Sequence, residues 1–227
     1  MGHQPSALLH AAEIVHWIAL GVMAIVYALR VRWLLSFRAT RDRQAPGAPD
    51  RTDARRGALY SLGNVLMPWA MESTRKNLAF YSTFVIFHLG VVAGIALAFV
   101  STLSRAFLQL PAVAAVMGLL LGGAFLVAVY RNARRWTRPY LRLISSPDDY
   151  FSLALLTVWF ALGLAAQANI SGLLAGDGWL VGYLLLTSFF LVYVPFSKIS
   201  HYLYYPFTRT WLGRTLGHRG TYPLVRA

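Results

Sequence analysis

The chain contains no cysteine. It therefore cannot ligate an iron–sulfur cluster, close a disulfide or hold a thioether-linked c-type haem. Charge is scarce too: 13% of the 227 residues are Asp, Glu, Lys or Arg, about half the share of a soluble domain. A cleavable leader is not expected, because Pro5 and Glu13 stand where a basic region would lie, so the first apolar run is read as a retained span. Internal repeats and low-complexity arrays are also missing.

What fills the chain instead is apolar sequence, with 57% hydrophobic residues and a mean hydropathy of +0.52. Long apolar runs predict five membrane-crossing helices near residues 8–29, 78–100, 110–130, 150–170 and 179–197, the first continuing through 30–37. Each can cross ~30 Å of hydrocarbon at ~1.5 Å per residue. Lys and Arg partition sharply among the connections. Residues 30–76 hold ten, 131–142 five and 198–227 five, while the remaining connections hold Arg105 alone. Twenty of 21 cations on one side place the N-terminus outside and the C-terminus in the cytoplasm. The expected fold is an all-α polytopic membrane protein, a five-transmembrane-helix bundle in one domain, with a cytoplasmic loop at 38–77 and a cytoplasmic tail at 206–227. The net charge of +13 follows from this topology, with some contact to anionic lipid, and nucleic-acid binding is not expected. Within the loop, 39–56 is rich in Pro, Arg and Asp and reads as mobile or ordered by a partner. The more apolar stretch 57–77 reads either as an interfacial helix or as a docking surface.

Two histidines carry the functional reading. His88 lies about ten residues inside the second span, without a carboxylate within a helical turn. His201 follows Pro195 and Lys198 at the inner end of the fifth. An imidazole in hydrocarbon is costly unless bonded, and one on each of two spans suggests a bis-histidine clamp on a haem iron. The structural alternative for His88 is a hydrogen bond to a neighbouring helix. Gly90 and Gly94 form a small-xxx-small pair, normally a packing device. His10, Glu13 and His16 lie at i, i+3 and i+6 in the first span. Glu13 with His16 is either a proton acceptor near the outer surface or a polar pair facing other helices. His3 and His218 are read as without function.

At these positions the chain resembles the gamma subunit of respiratory nitrate reductase, a five-span b-type cytochrome family. Related cytochrome subunits serve heterodisulfide-reductase-like, sulfite-reductase-associated and hydrogenase complexes. The resemblance rests on Asn77-Leu78-Ala79, Phe87-His88-Leu89-Gly90, Ala161-Leu162-Gly163-Leu164 and, most specifically, Pro195-Phe196-Ser197-Lys198-Ile199-Ser200-His201, followed by Pro206 and a basic tail ending Pro223-Leu224-Val225-Arg226-Ala227. In that family the second and fifth spans each supply a ligand to two stacked haems. The resemblance implies His88 and His201 as axial ligands of the inner haem. The outer positions fall on Ala98 and Tyr183, which cannot form a bis-histidine site, so one haem b is expected and a second is not. Lys198, or an arginine between 131 and 142, is a candidate partner for a haem propionate.

The resemblance further implies electron transfer between the quinone pool and a cytoplasmic iron–sulfur partner subunit, in a bacterial or archaeal cytoplasmic membrane. The quinone is expected where the outer haem would have been, near Glu13, His16 and Tyr183. Two other readings stand beside this one. In the first, electrons come from or go to a periplasmic cytochrome. In the second, the chain is a non-redox anchor with structural histidines.

Overall fold

The computed structural model describes residues 6–38, 42–47, 49–69 and 72–224. His3, part of the 39–56 loop, and the Val225-Arg226-Ala227 end of the tail lie outside them. Among the described residues there is no strand. The main helices are α1 (Ala7–Ser36), α2 (Ala54–Gly63), α3 (Leu78–Leu103), α4 (Pro111–Thr137), α5 (Pro147–Ile170), α6 (Gly178–Tyr193) and α7 (His201–His218). Five of them, α1 and α3 to α6, are long and apolar enough to cross a membrane.

The helix ends differ from the expected spans for local reasons. The fourth span starts earlier, at Pro147, because Ser146 and Asp149 form a capping box around a proline at the first helical position. The third runs on through Arg131–Arg135, since arginine is a good helix former and a cation suits a helix C-terminus. It stops before Pro139, which disfavours helical backbone at the residue ahead of it. The fifth ends at Tyr193 and tightens into a 3-10 turn over Val194–Phe196. There Pro195 lacks the N–H that a continuing α-helix would need. The expected interfacial stretch contains most of α2, and more than half of the tail lies in the eighteen-residue helix α7.

The chain divides into two compact units. The first comprises Met1–Ile25 and Ser82–Tyr193, the second Val26–Tyr81 and Val194–Ala227. In the first unit α5 lies against both α4 and α6. Its core is built from Leu97, Ala98, Leu121, Ala124, Phe160, Tyr183 and Leu184. Gly90 and Gly94 serve packing here. A Cβ on Gly90 would overlap Ala124 of α4, and one on Gly94 would overlap the indole of Trp159. The buried positions of α1 are Leu9, Ala12, His16 and Ala19. That three- and four-residue spacing is one face of a helix, and it sets His16 inward. Large apolar side chains such as Ile18, Val92, Leu119 and Leu126 stay exposed, as acyl-facing residues would.

The second unit is organised by glycine. A Cβ on Gly57 of α2 would run into the carbonyl of Gly213 and the backbone of Gly217 on α7. The two helices therefore touch backbone to backbone. Their ends are joined by Asp53 N–H donating to Gly217 O at 3.0 Å, Arg209 Nε to Ser61 O at 3.1 Å and Tyr205 Oη to Leu62 O at 3.0 Å. From α1, Tyr27 and Tyr202 share a hydroxyl hydrogen bond of 2.5 Å, and Arg30 donates to Tyr204 Oη at 3.0 Å.

A salt bridge closes this unit, with Arg219 Nε 2.5 Å from Asp42 Oδ2. The Arg219 hydrogen bond, helped by the Gln44 N–H, holds the Asp42 carboxyl below its usual range. The folded pKa is depressed, so the stabilisation is complete above the unfolded value of about 3.9 and is lost as pH falls through the lower folded value. Amide exchange at Gly47, whose N–H donates to Arg219 O at 3.0 Å, taken relative to the intrinsic rate at each pH, should therefore quicken below about pH 4. In Asp42→Asn it should be quick already at pH 7, with no further loss of protection on acidification. Identical protection at every pH in the two proteins would refute the linkage.

Candidate functional site

His88 sits on α3, half-buried, in the first unit. Its Nδ1 lies 2.8 Å from the carbonyl oxygen of Phe84, one turn earlier. A carbonyl only accepts, so Nδ1 carries the proton and the ring's lone pair is on Nε2. Phe84 and Phe87 flank the imidazole, with ring centroids 4.1 and 5.8 Å away. His201 opens α7 and is exposed, in the second unit. Its Nδ1 lies 3.1 Å from Lys198 O, which assigns the same tautomer. Lys198 itself is exposed on the 3-10 turn ahead of His201.

Both imidazoles thus meet the chemical requirement of an iron ligand. One nitrogen is bonded to a backbone carbonyl, which orients the ring, and the lone pair is on the other. Among the described residues no group of three or more His, Cys, Asp or Glu could hold a metal ion. That argues against a cage of side chains and does not bear on an axial pair, which needs only two.

Tyr183 and Ala98 lie in the packed interior of the first unit, 0% and 1% exposed. The Tyr183 hydroxyl donates to Gly94 O, and its ring stacks on Trp159 at 5.9 Å and 22°. Trp159 in turn donates Nε1–H to Thr187 Oγ1 at 2.8 Å. The region expected to stand open for a quinone is occupied by these side chains. Tyr183 has different hydrogen-bond and ring partners from Glu13 and His16.

Glu13 takes part in a polar cluster. Arg105, at the start of the α3–α4 connection, donates to Glu13 Oε1 at 2.5 Å. His10 Nδ1 is 3.9 Å from the other carboxylate oxygen. Arg105 also lines a pocket of about 470 Å³ together with Gln109, Asn169, Leu174, Asp177 and Leu180. That volume is within the ~300–1,000 Å³ range of small-molecule sites. His16, 1% exposed, packs edge-on against Phe99 and Trp17, and neither ring nitrogen has a hydrogen-bond partner. Leaving such a group unsatisfied costs about 1–3 kcal/mol, and a buried polar atom without a partner calls for an explanation such as a catalytic role or a bound molecule. Sequence reasoning counted Arg105 only as the one cation on its side and gave it no role. The signal was present, since a lone cation among acidic and neutral connections needs a partner and Glu13 is the carboxylate of the first span.

The fold and these sites define an all-helical protein with five helices capable of crossing a membrane. The chain is similar to a protein of Nitratidesulfovibrio vulgaris, 27% identical over 201 residues that cover 87% of this chain and 88% of the relative, whose name states no activity. No family model matches the chain, and no solved structure matches it.

Proposed function

We propose that the chain is the haem b subunit of a respiratory membrane complex, with His88 and His201 as the two axial ligands of one haem. The observation that carries this is the shared tautomer: each Nδ1–H is given to a backbone carbonyl one turn back, which puts the lone pair on Nε2. A haem b held between two imidazoles carries one electron at a time. The protein's part is to orient the two rings and to supply counter-charge, for which Lys198, three residues before His201, is suited. The resemblance in Pro195–His201 adds the two ends of the traffic, the quinone pool and a cytoplasmic iron–sulfur partner. The cation distribution supports an N-terminus outside and a C-terminus in the cytoplasm, and the resemblance adds residence in a bacterial or archaeal cytoplasmic membrane.

A reduced-minus-oxidised spectrum of the purified chain tests the reading, with a b-type α-band and one haem per chain expected. A chain without that band is a non-redox anchor.

The quinone head group belongs, on this reading, near Glu13 and His16, reached through Arg105, which lines the 470 Å³ pocket and bonds Glu13, while the Tyr183 hydroxyl is taken up by Gly94 O. Arg105 holds the Glu13 carboxylate in place, Glu13 accepts a proton from the quinol, and the His16 imidazole supplies a hydrogen bond. Glu13→Gln and His16→Ala should each slow haem reduction by a quinol analogue about a hundredfold, the low end of what a positioned acid–base group contributes. Dithionite reduction should be unaffected. Unchanged quinol rates in both variants would remove the quinone from this site.

A further inference from the structure

Every one of the eight carboxylates of the chain has an assigned partner away from Arg131. Glu13 pairs with Arg105, Asp42 with Arg219, Asp50 with Arg51 and Glu72 with Lys76. Asp53 caps α2, Asp149 caps α5, Asp148 accepts from Tyr193 and Asp177 accepts from the Ser6 N–H. Arg131, half-buried on α4, is left with a π face: its guanidinium carbon is 4.6 Å from the ring centroid of Phe87. Two more guanidiniums, Arg134 and Arg135, follow on the same helix face and sharpen the local positive charge. Arg134 donates to Tyr140 Oη and Arg135 to Ser145 Oγ, both neutral groups.

A partly desolvated cation next to like charges is costly unless an anion joins it. The anion is expected at a specific place, because Phe87, whose face Arg131 covers, is also the neighbour of His88 in sequence and in space. Guanidinium presents a planar fork of N–H donors that matches a carboxylate. The cofactor proposed to bind at His88 carries two carboxylates on its rim.

We propose that Arg131 is the anion anchor of the His88 site, its guanidinium holding a propionate carboxylate of the bound haem. This rests on the haem reading. The role is one of positioning and electrostatics: a fixed positive charge beside the cofactor favours its reduced, more negative form.

Spectroelectrochemical titration of the full chain in lipid-free dodecyl maltoside tests it, using wild type, Arg131→Gln and Arg131→Lys. Arg131→Gln should weaken reduction by about tenfold in equilibrium constant, a fall of about 59 mV for one electron. Arg131→Lys should recover part of that fall and lie between wild type and Arg131→Gln, since the charge remains while the planar fork is lost. Equal potentials for wild type and Arg131→Gln would overturn the proposal. So would a difference confined to nanodiscs of anionic phospholipid and lost in detergent, because the anion would then be a lipid phosphate. Should Arg131→Gln fold, by circular dichroism, without binding haem, Arg131→Lys must bind it, and a haem-free Arg131→Lys overturns the inference. A wild-type chain with a b-type band but no response to either variant sinks this inference alone, whereas a wild-type chain with no band sinks the haem reading beneath it.

Discussion

With one haem held as proposed, His88→Ala and His201→Ala should each abolish the low-spin b-type α-band expected of the purified chain, while His218→Ala leaves it intact. The expected loss is complete, because the low-spin spectrum needs an imidazole on both faces of the iron, and removing either leaves an open position. The alternative role for His88 is a hydrogen bond to a neighbouring helix, whereas the bond the structure gives its Nδ1 is a local one. It donates to Phe84 O within its own helix, and losing that one bond costs only about 0.5–1.5 kcal/mol. The two roles therefore separate cleanly. A structural histidine predicts a small fall in thermal stability and no spectral change, and a ligand predicts loss of the band with helical content retained. His201 is exposed at the head of α7, so its removal leaves no cavity, and any spectral effect reports ligation. If both variants keep the wild-type spectrum, the axial assignment is wrong whatever the cofactor content.

Gly213→Leu should open the α2–α7 pair. At Gly213 a Cβ would meet the Gly57 carbonyl oxygen at 2.5 Å, Ser61 Cβ at 2.6 Å and Ala58 Cα at 2.7 Å. These are mostly backbone atoms, which cannot rotate away as a side-chain tip would. Overpacking costs about 1–3 kcal/mol and occasionally more, and here the upper end is expected, about a hundredfold in the opening equilibrium. The measurement is hydrogen exchange of α2 and α7 amides. Gly118 on α4 provides the control, because a Cβ added there has nothing within 4 Å. Gly118→Ala should leave exchange in α2 and α7 unaltered. Because α7 starts at His201, Gly213→Leu should also lower haem occupancy. Wild-type exchange rates in Gly213→Leu would show that the helices do not pack through these glycines.

Much of the architecture was legible in the residues. Long apolar runs can be satisfied only by burial or by lipid, so the five long helices followed from hydropathy with errors of up to seven residues at their ends. Those errors trace to particular side chains: the Ser146–Asp149 box, the arginines after Tyr130 and the missing N–H of Pro195. The pairing of α2 with α7 was less legible. Gly213 and Gly217 have the four-residue spacing of a packing face, but their partner Gly57 lies far away in sequence, and no local rule names a partner at that distance.

For the candidate sites the division is similar. His88, His201, Glu13 and His16 were marked in advance by the cost of placing polar groups in apolar helices. Composition and periodicity could carry that argument no further, because they report burial and not partners. Which nitrogen of each candidate ligand histidine holds the proton depends on a carbonyl one turn back. The engagement of Tyr183 with Gly94 and Trp159, of Arg105 with Glu13, and of Arg131 with the ring of Phe87 depends on helices brought side by side. Helicity, apolarity and the lopsided placement of cations are sums over residues, so they can be read from the chain residue by residue. Whether a polar group is spent on packing or keeps its chemistry depends on what the side chain meets, and those meetings exist only once the helices are packed.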